Sequence, residues 1–473
     1  MRITKREFLK KIGLGGVAVA SGASLADAPV KSKGMLPPGS VGDPKNIAFG
    51  RHIFPLGHTI EDVESCTVKG GKVFQPAREI PVFHETDVVV VGGGPAGFAA
   101  AIAARRAGAK VALVERYGSL GGLFTNGMVL IMLATGRREN GRFTLVTRGI
   151  CEEFMLRAET LGADVCTKRP GEKFHWQPTV DPEGAKYLMD AMIAESGVEM
   201  FFHSWGVDTV QVGNKVCGVV FESKQGRQAI LAKQVVDCTG DGDVLFQAGG
   251  NYSQISHAIG FVTRLGNVDR ITAKNVPTDA NGKPLSGRWM LKSNEARKST
   301  AWVNKMGPKG NGLDVRDLTK AEIAHRKYAW EFVRKMKNTP GWEEVYIANT
   351  CSQIGPRATR LIDAECIVDR SKLAGKWNPA DVIGWFGTDG HHDAFPVPYA
   401  QILPKGMDNI LCAGRCLGAG DTIDIFRLIC PCFVTGEAAG VAAALAVKEG
   451  KTPRELDVAK LQAALRSANV YLG

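Results

Sequence analysis

The sequence is short of the features that settle a protein's class early. It carries eleven cysteines, an odd number that cannot all pair internally. They are scattered, without the dense spacing of a small secreted disulfide scaffold. They therefore read as reduced, buried thiols, as in a protein folded in a reducing compartment. Cys412, Cys416, Cys430 and Cys432 follow a CxxxC-then-CxC pattern, which does not match the ferredoxin runs that hold iron–sulfur clusters. Packing is their expected role, with a redox-active Cys430/Cys432 pair left open. No RNA- or DNA-binding motif accompanies the formal net charge of +11, so nucleic acid is not an expected partner. What remains is ordinary: 473 residues, 44% hydrophobic and 23% charged, enough for two or three structural units of a soluble protein.

Part of the positive charge sits at the N-terminus. Arg2, Lys5, Arg6, Lys10 and Lys11 against Glu7 and Asp27 put +3 in residues 1–28, leaving +8 for the rest, enough to draw in anionic substrates or acidic partners. Thr4-Lys5-Arg6-Glu7-Phe8-Leu9-Lys10 resembles a twin-arginine signal, with lysine at the first arginine position. A weakly apolar stretch from Ile12 to Leu25 follows, too short for a stable spanning helix. Ala26-Asp27-Ala28 then offers the small-x-small pattern of signal peptidase sites. Residues 1–28 are thus expected to be a signal peptide read by the twin-arginine export machinery, and the protein to be periplasmic or otherwise exported, with no transmembrane span. The alternative is the basic N-terminus of a cytoplasmic protein, which the lysine leaves open. Residues 29–80, rich in Pro, Gly and Lys, read as an extended arm.

The strongest signal lies at Val88–Glu115. Thr86-Asp87-Val88-Val89-Val90-Val91 has the unbroken apolar pattern of a strand buried on both faces of a parallel sheet. Gly92-Gly93-Gly94-Pro95-Ala96-Gly97 follows, then helix formers from Ala99 to Ala107 and a second apolar strand ending at Glu115. Gly92 permits the tight turn, Gly94 lets a pyrophosphate approach the backbone, and Gly97 lets helix and strand pack closely. The start of the helix, at Pro95 and Ala96, faces the phosphate charge. Glu115 accepts hydrogen bonds from ribose hydroxyls, with Arg116 beside it. Only one such fingerprint is found, so no second nucleotide site for NAD(P)H is expected.

Further blocks carry a family resemblance. Gly118-Ser119-Leu120-Gly121-Gly122-Leu123-Phe124-Thr125 resembles the glycine-rich loop that passes the flavin. Val235-Val236-Asp237-Cys238-Thr239-Gly240-Asp241-Gly242-Asp243 resembles a "DATGDGD" strand and turn. Ile354 to Arg360 resembles a "GxRxTR" stretch, Asn409 to Cys416 a "NLLVAGR" segment, and Arg427 with Thr435 to Ala443 a closing arginine and "TGQAAGxAA" helix. From about Pro81 to Gly473 the chain resembles the FAD-dependent oxidoreductases related to the fumarate reductase and glutathione reductase flavin folds. The resemblance implies an α/β architecture: a Rossmann-like FAD-binding domain (parallel sheet with helices and a β-meander) at 81–264 and 395–473, interrupted by an α+β cap or substrate domain at 265–394. The cap has a helical centre from Lys320 to Lys337, stopped by Asn338-Thr339-Pro340-Gly341. FAD is the implied cofactor, contacted by Gly92, Gly94, Pro95, Ala96, Gly97, Glu115 and Arg116. Gly121, Gly122, Leu123, Thr125, Thr239, Gly240 and Asp241 are implied along its length. Gly414, Arg415, Arg427, Gly436 and Ala438 would close the site, although Gly436 and Gly440 also suit close helix packing.

For catalysis, Thr388-Asp389-Gly390-His391-His392-Asp393 lies at the inferred junction between cap and FAD domain. A histidine there is suited to proton transfer, and two adjacent histidines cannot both face inward on a strand. Structural and metal-binding roles for His391 and His392 stay open. Arg357 and Arg360 would share a helix face if their segment is helical, and so clamp a carboxylate. The alternative is an ion pair with Asp363 or Glu365. Arg427, set in an apolar stretch, needs a partner, for which a flavin or substrate oxygen is suited. The function expected is hydride transfer between a small polar substrate and an external electron carrier (cytochrome, quinone-linked or other redox protein). Oxidation of an alcohol and reduction of an activated double bond both remain open. The alternative is a flavin electron-transfer subunit of a larger redox complex. The signal reading has a direct check: mass spectrometry of the periplasmic protein is expected to find Pro29 as its first residue, and an intact N-terminus in the cytoplasm would refute it.

Overall fold

The computed structural model describes residues 66–139, 142–168, 176–271, 275, 290–292, 299–374, 377–387 and 393–473. The expected signal peptide, His391 and His392 lie outside the described residues. Two compact units are present, Met1–Arg78 and Glu79–Gly473. In the first, Thr67–Lys69 and Lys72–Phe74 form a hairpin turned by Gly70 and Gly71. Both glycines have positive φ, as a two-residue hairpin turn requires.

The second unit is built on a seven-stranded sheet. Its order runs Glu199–Phe201, Val111–Val114, Val82–Val91, Gly226–Asp237, Lys215–Ser223 and Trp205–Val212. Val88 to Val91 are fully buried or nearly so, which is why this strand reads as an unbroken apolar run. Gly226–Asp237 is the hub. One edge pairs in parallel with the fingerprint strand, Asp237 opposite Val91. Its other edge pairs antiparallel with Lys215–Ser223, then in parallel with Ile410–Cys412, Asp237 opposite Cys412. This register ends three strands on one level, so the turns after Val91, Asp237 and Cys412 meet at the carboxyl end of the sheet, where open α/β sheets bind ligands.

The fingerprint helix, Pro95–Arg106, leaves the first of these turns with proline in its opening turn. The closing helix, Ile429–Glu449, packs along it. A Cβ on Gly436 would overlap the Ala96 carbonyl, and one on Gly440 the Ala100 carbonyl. Among the described residues this closing helix is long and apolar enough to cross a membrane, but 94% of its apolar window is buried. It is the spine of the core, with Phe433 edge-on to Phe98 at 5.8 Å.

A five-stranded antiparallel sheet stands against the carboxyl end of the first. Met290–Lys292, Thr300–Gly310, His257–Gly266 and Tyr346–Thr350 follow in that order, and Gly355–Pro356 also pairs with His257–Gly266. This second sheet therefore begins inside the range expected for the FAD domain. Its strands alternate faces. Phe261 turns outward to stack on His325 of the helix Val315–Met336, while Gly260 and Val262 face the cleft. That helix starts earlier than the expected Lys320, because Asp314 caps the amides of Arg316 and Asp317. A buried ion pair, Arg264 to Asp181 at 2.6 Å, ties the second sheet to the helix Pro182–Ser196.

Glu437 is a buried acid on the closing helix. Its carboxylate accepts the Ile150 amide at 2.9 Å, capping the helix Ile150–Thr160 from another element. Burial outweighs that bond and raises its pKa from 4.5 to about 8. The folded protein thus holds a proton that the unfolded chain has lost. The stabilisation is full below pH 4.5 and is lost as pH rises through about 8. Glu437→Gln keeps an acceptor for Ile150 and abolishes the titration. Thermal unfolding is expected to show the variant matching wild type near pH 4.5 and exceeding it by a few degrees above pH 8, a difference on the order of a few kcal/mol.

Candidate functional site

The three turns at the carboxyl end of the main sheet form the wall of a cleft enclosing about 1450 Å³, counting its open mouth. In the first turn Gly92 has φ +96° and lies so close to Cys238 and Thr239 that no side chain fits. A Cβ on Gly97 would overlap the Gly92 carbonyl, so this glycine sets the approach of helix to strand. Gly94 has nothing within 4 Å of where a Cβ would stand. It is the open side of the turn, where a pyrophosphate can approach the first helical amides.

Glu115, at the end of the second strand, is held by two amides: Gly93 N–H at 2.6 Å and Tyr117 N–H at 2.8 Å. Burial raises its pKa despite those bonds. The carboxylate thus ties the glycine turn while facing the cleft, placed for ribose hydroxyls. Arg116 beside it lies over the rings of Tyr117 (4.8 Å) and Trp205 (5.8 Å). In the second turn, fully buried Asp237 accepts from the Thr239 amide (3.0 Å), the Thr239 hydroxyl (2.7 Å) and the Leu245 amide (3.0 Å). This fixes Thr239 and Gly240 on the cleft wall.

The third turn brings Gly414, with φ +86°, against Ala96 and presents Arg415. Arg415 pairs with Asp241 at 2.9 Å, while its Nη1 is buried with no partner among the described residues. Leu428, Ile429 and Cys432 bring the start of the closing helix into the same wall. The glycine loop adjoins from the side, Gly121 N–H donating to Gly93 at 2.8 Å, and contributes Gly122 and Leu123 to the lining. An elongated dinucleotide fits this cradle: an acid at one end, open backbone in the middle and the unpartnered Nη1 of Arg415 beyond.

Past Gly414 the cleft reaches the second sheet. Gly260, Val262 and Gly355 form its floor, with Asn304, Gln353, Arg357 and Arg427 around it. Arg427 is held by Asp424 (3.2 Å), which also receives His257 at 3.1 Å. His257 Nδ1 accepts its neighbour Ala258's amide at 2.7 Å, so its Nε2 carries the proton donated to Asp424. Burial, with Arg427 and Arg357 nearby, keeps His257 below its usual pKa. Asp424 stands 167 residues from His257, so no sequence spacing links them. Asn304 and Gln353 likewise carry no motif.

Several expected roles change. Residues 355–362 are not helical, so Arg357 and Arg360 share no helix face. Gly355–Pro356 and Arg360–Ile362 are strand segments. Arg360 turns away from the cleft to Asp243 (2.8 Å) and the ring of Phe246 (4.2 Å). The alternative partners, Asp363 and Glu365, bind Lys405 and Arg454 instead. Asp243 lies among acids and burial raises its pKa to about 6, with Arg360 opposing. Gly436 and Ala438 sit inside the closing helix, against protein. Thr125 is a brace, its hydroxyl on the Leu120 carbonyl. Asp241 backs the cleft through Arg415. Arg427 has a protein partner in Asp424. Cys430 and Cys432 do not face each other, being two apart on a helix. Cys430 adjoins Cys151, Cys432 faces the cleft, and all four cysteines are buried free thiols.

A family model described as FAD dependent oxidoreductase matches residues 87–465. A dihydrolipoyl dehydrogenase from Trypanosoma brucei brucei is 55% identical over 49 residues, 10% of each chain. The chain thus spans about a tenth of that relative's length. A thiamine thiazole synthase from Pyrococcus horikoshii is 26% identical over 265 residues, 54% of this chain and 91% of the relative. Among solved structures, a geranylgeranyl bacteriochlorophyll reductase-like protein from Thermoplasma acidophilum aligns over 81% of this chain and 84% of its own, at 15% identity and a TM-score of 0.46.

The placement of Gly436 has a testable consequence. Gly436→Ala forces a methyl onto the Ala96 carbonyl, an overpacking cost of about 1–3 kcal/mol. A lowered unfolding midpoint is expected, with residual folded protein still binding its cofactor at wild-type affinity. Selective loss of cofactor at an unchanged midpoint would restore the contact role.

Proposed function

Because the chain belongs to the FAD-dependent oxidoreductase family, with FAD as its cofactor, we propose that it is an exported enzyme moving a hydride between a small polar substrate and an external electron carrier. The observation that carries this reading is the continuation of the cleft. It does not stop at the dinucleotide cradle but runs on to Asn304, Gln353 and Arg357 on the second sheet. An electron relay needs only an exposed flavin edge, whereas convergent polar side chains in a recess suit a bound small molecule.

FAD supplies the hydride chemistry when bound. The chain's own part is to hold and to exclude. Gly92, Gly94 and Glu115 cradle the dinucleotide, Arg415 offers it a free Nη1, and Arg427 brings positive charge held in place by Asp424. The second sheet closes the chamber opposite. Proton transfer is assigned to His391 or His392, which lie outside the described residues. In sequence they follow the strand Val382–Gly387, whose Gly387 N–H donates to Ala134 at 2.9 Å, next to the lining residue Leu133. Phe386 packs on Phe426 at 4.8 Å, next to Arg427. The partners proposed are a cytochrome, quinone-linked or other redox protein as electron carrier, and the twin-arginine machinery for export of the folded, loaded protein.

Acid extraction of the purified protein is expected to release FAD, and an anaerobic screen of donors and acceptors to find a pair that reduces and reoxidises it. Absence of flavin would end this reading. His391→Ala and His392→Ala, made separately, are expected to leave the flavin spectrum intact. One of them should lower turnover by about 10²-fold or more. Flavin loss in both would instead make the pair structural.

A further inference from the structure

We propose that Arg357 receives a substrate carboxylate, so that the enzyme acts on a small carboxylic acid; this rests on the reading above. Four arginines line the cleft: Arg116, Arg357, Arg415 and Arg427. Three are engaged. Arg116 lies over Tyr117 and Trp205, Arg415 pairs with Asp241, and Arg427 with Asp424. The Arg357 side chain has no hydrogen-bond or ion-pair partner among the described residues. Asp424 acts on it only through space, and the same Asp424 oxygen already serves both Arg427 and His257. Burial and the neighbouring Arg427 both disfavour the charge on Arg357. A half-buried guanidinium beside a second one, with a single carboxylate, Asp424, between them and its Oδ1 bonded to Arg427 and His257, leaves positive charge uncompensated within the chamber.

The position separates this charge from the cofactor phosphates. Arg357 rides on the second sheet, its own amide donating to Ala258 at 3.3 Å. Gly355–Pro356 just before it pairs with Ile259 and Gly260. The cofactor's pyrophosphate would be held by the glycine turns of the first sheet, where Gly94 leaves the backbone open. A planar guanidinium matches a carboxylate with two parallel hydrogen bonds. Gln353, in the same lining, has an amide oxygen that is buried with no partner among the described residues. It is suited to accept a hydroxyl or amino proton elsewhere on the same substrate. Two unsatisfied groups of opposite hydrogen-bonding sense, a donor fork and an acceptor, describe a hydroxy or amino acid better than a neutral polyol.

The test uses the flavin-loaded protein. Lactate, malonate, N-acetylglycine and benzoate are each titrated against the corresponding uncharged amide, at ionic strength fixed with chloride. Calorimetry and the absorption spectrum of the bound flavin report binding. At least one carboxylate is expected to bind saturably while its amide does not. Arg357→Gln should weaken that binding at least about tenfold, and Arg357→Lys should recover part of it. In the unsubstituted protein, the same carboxylate should shield Arg357 from phenylglyoxal, mapped by mass spectrometry, which needs no variant to fold. The proposal is overturned if no carboxylate binds, if amides bind equally, or if Arg357→Gln binds as wild type does. It is equally overturned if Arg357→Gln folds but loses FAD, which would make Arg357 a cofactor ligand. Flavin present with no carboxylate binding removes this proposal alone, whereas absence of flavin removes the functional reading beneath it.

Discussion

The backbone of the closing helix rests directly on the backbone of the fingerprint helix. Gly436 faces the Ala96 carbonyl and Gly440 the Ala100 carbonyl, with no space for a methyl group at either glycine. Two glycines four residues apart lie on one helix face, so they meet two alanines with the same spacing. Much else follows from this approach. It carries the start of the closing helix to the edge of the glycine turn, where Leu428, Ile429 and Cys432 join Ala96 in the cleft wall. It also sets Glu437, the residue after Gly436, beneath Gly149 and the first amide of the helix Ile150–Thr160. A buried acid whose pKa burial raises is tolerated there because it completes a cap.

The cleft owes its character to a division of charge. Its best buried carboxylates spend their oxygens on the protein. Asp237 secures the turn that follows it, Glu115 secures the glycine turn, and Asp241 and Asp243 hold Arg415 and Arg360. The guanidinium groups of Arg116, Arg357, Arg415 and Arg427 line the open space, while that of Arg360 turns away. An anionic dinucleotide and an anionic substrate both suit a wall lined by four arginines against two acids, Glu115 and Asp243. The order along the cleft matches: acid and stacked arginine at one end, open backbone in the middle, and the Arg357 and Arg427 pair where the second sheet closes over.

Local rules account for the elements that were legible from sequence. The Val88–Glu115 unit follows from a β-branched run, glycines at fixed offsets and a helix of alanines, each acting over a few residues. The Thr239–Asp243 and Gly414–Arg415 turns were legible through the family resemblance of the segments that hold them. Residues 354–360 were harder. An arginine pair three apart suggested a helix face, but pairing with His257–Gly266 holds the segment extended and sends the two guanidinium groups to different places. The same limit applied to Gly436, since a glycine that admits a cofactor and one that admits another helix look alike in sequence.

What the sequence by itself determined is the nucleotide-binding unit and, through its resemblance, the FAD-dependent family to which the chain belongs. What only the tertiary structure decided is the far end of the cleft. His257 and Asp424 meet across 167 residues, Gln353 and Asn304 arrive from separate segments, and of the cleft's arginines Arg357 is left without a partner among the described residues. Those relations depend on strand register and on one close helix contact. Neither is encoded in any short stretch of chain, because both arise from how distant surfaces exclude one another once packed.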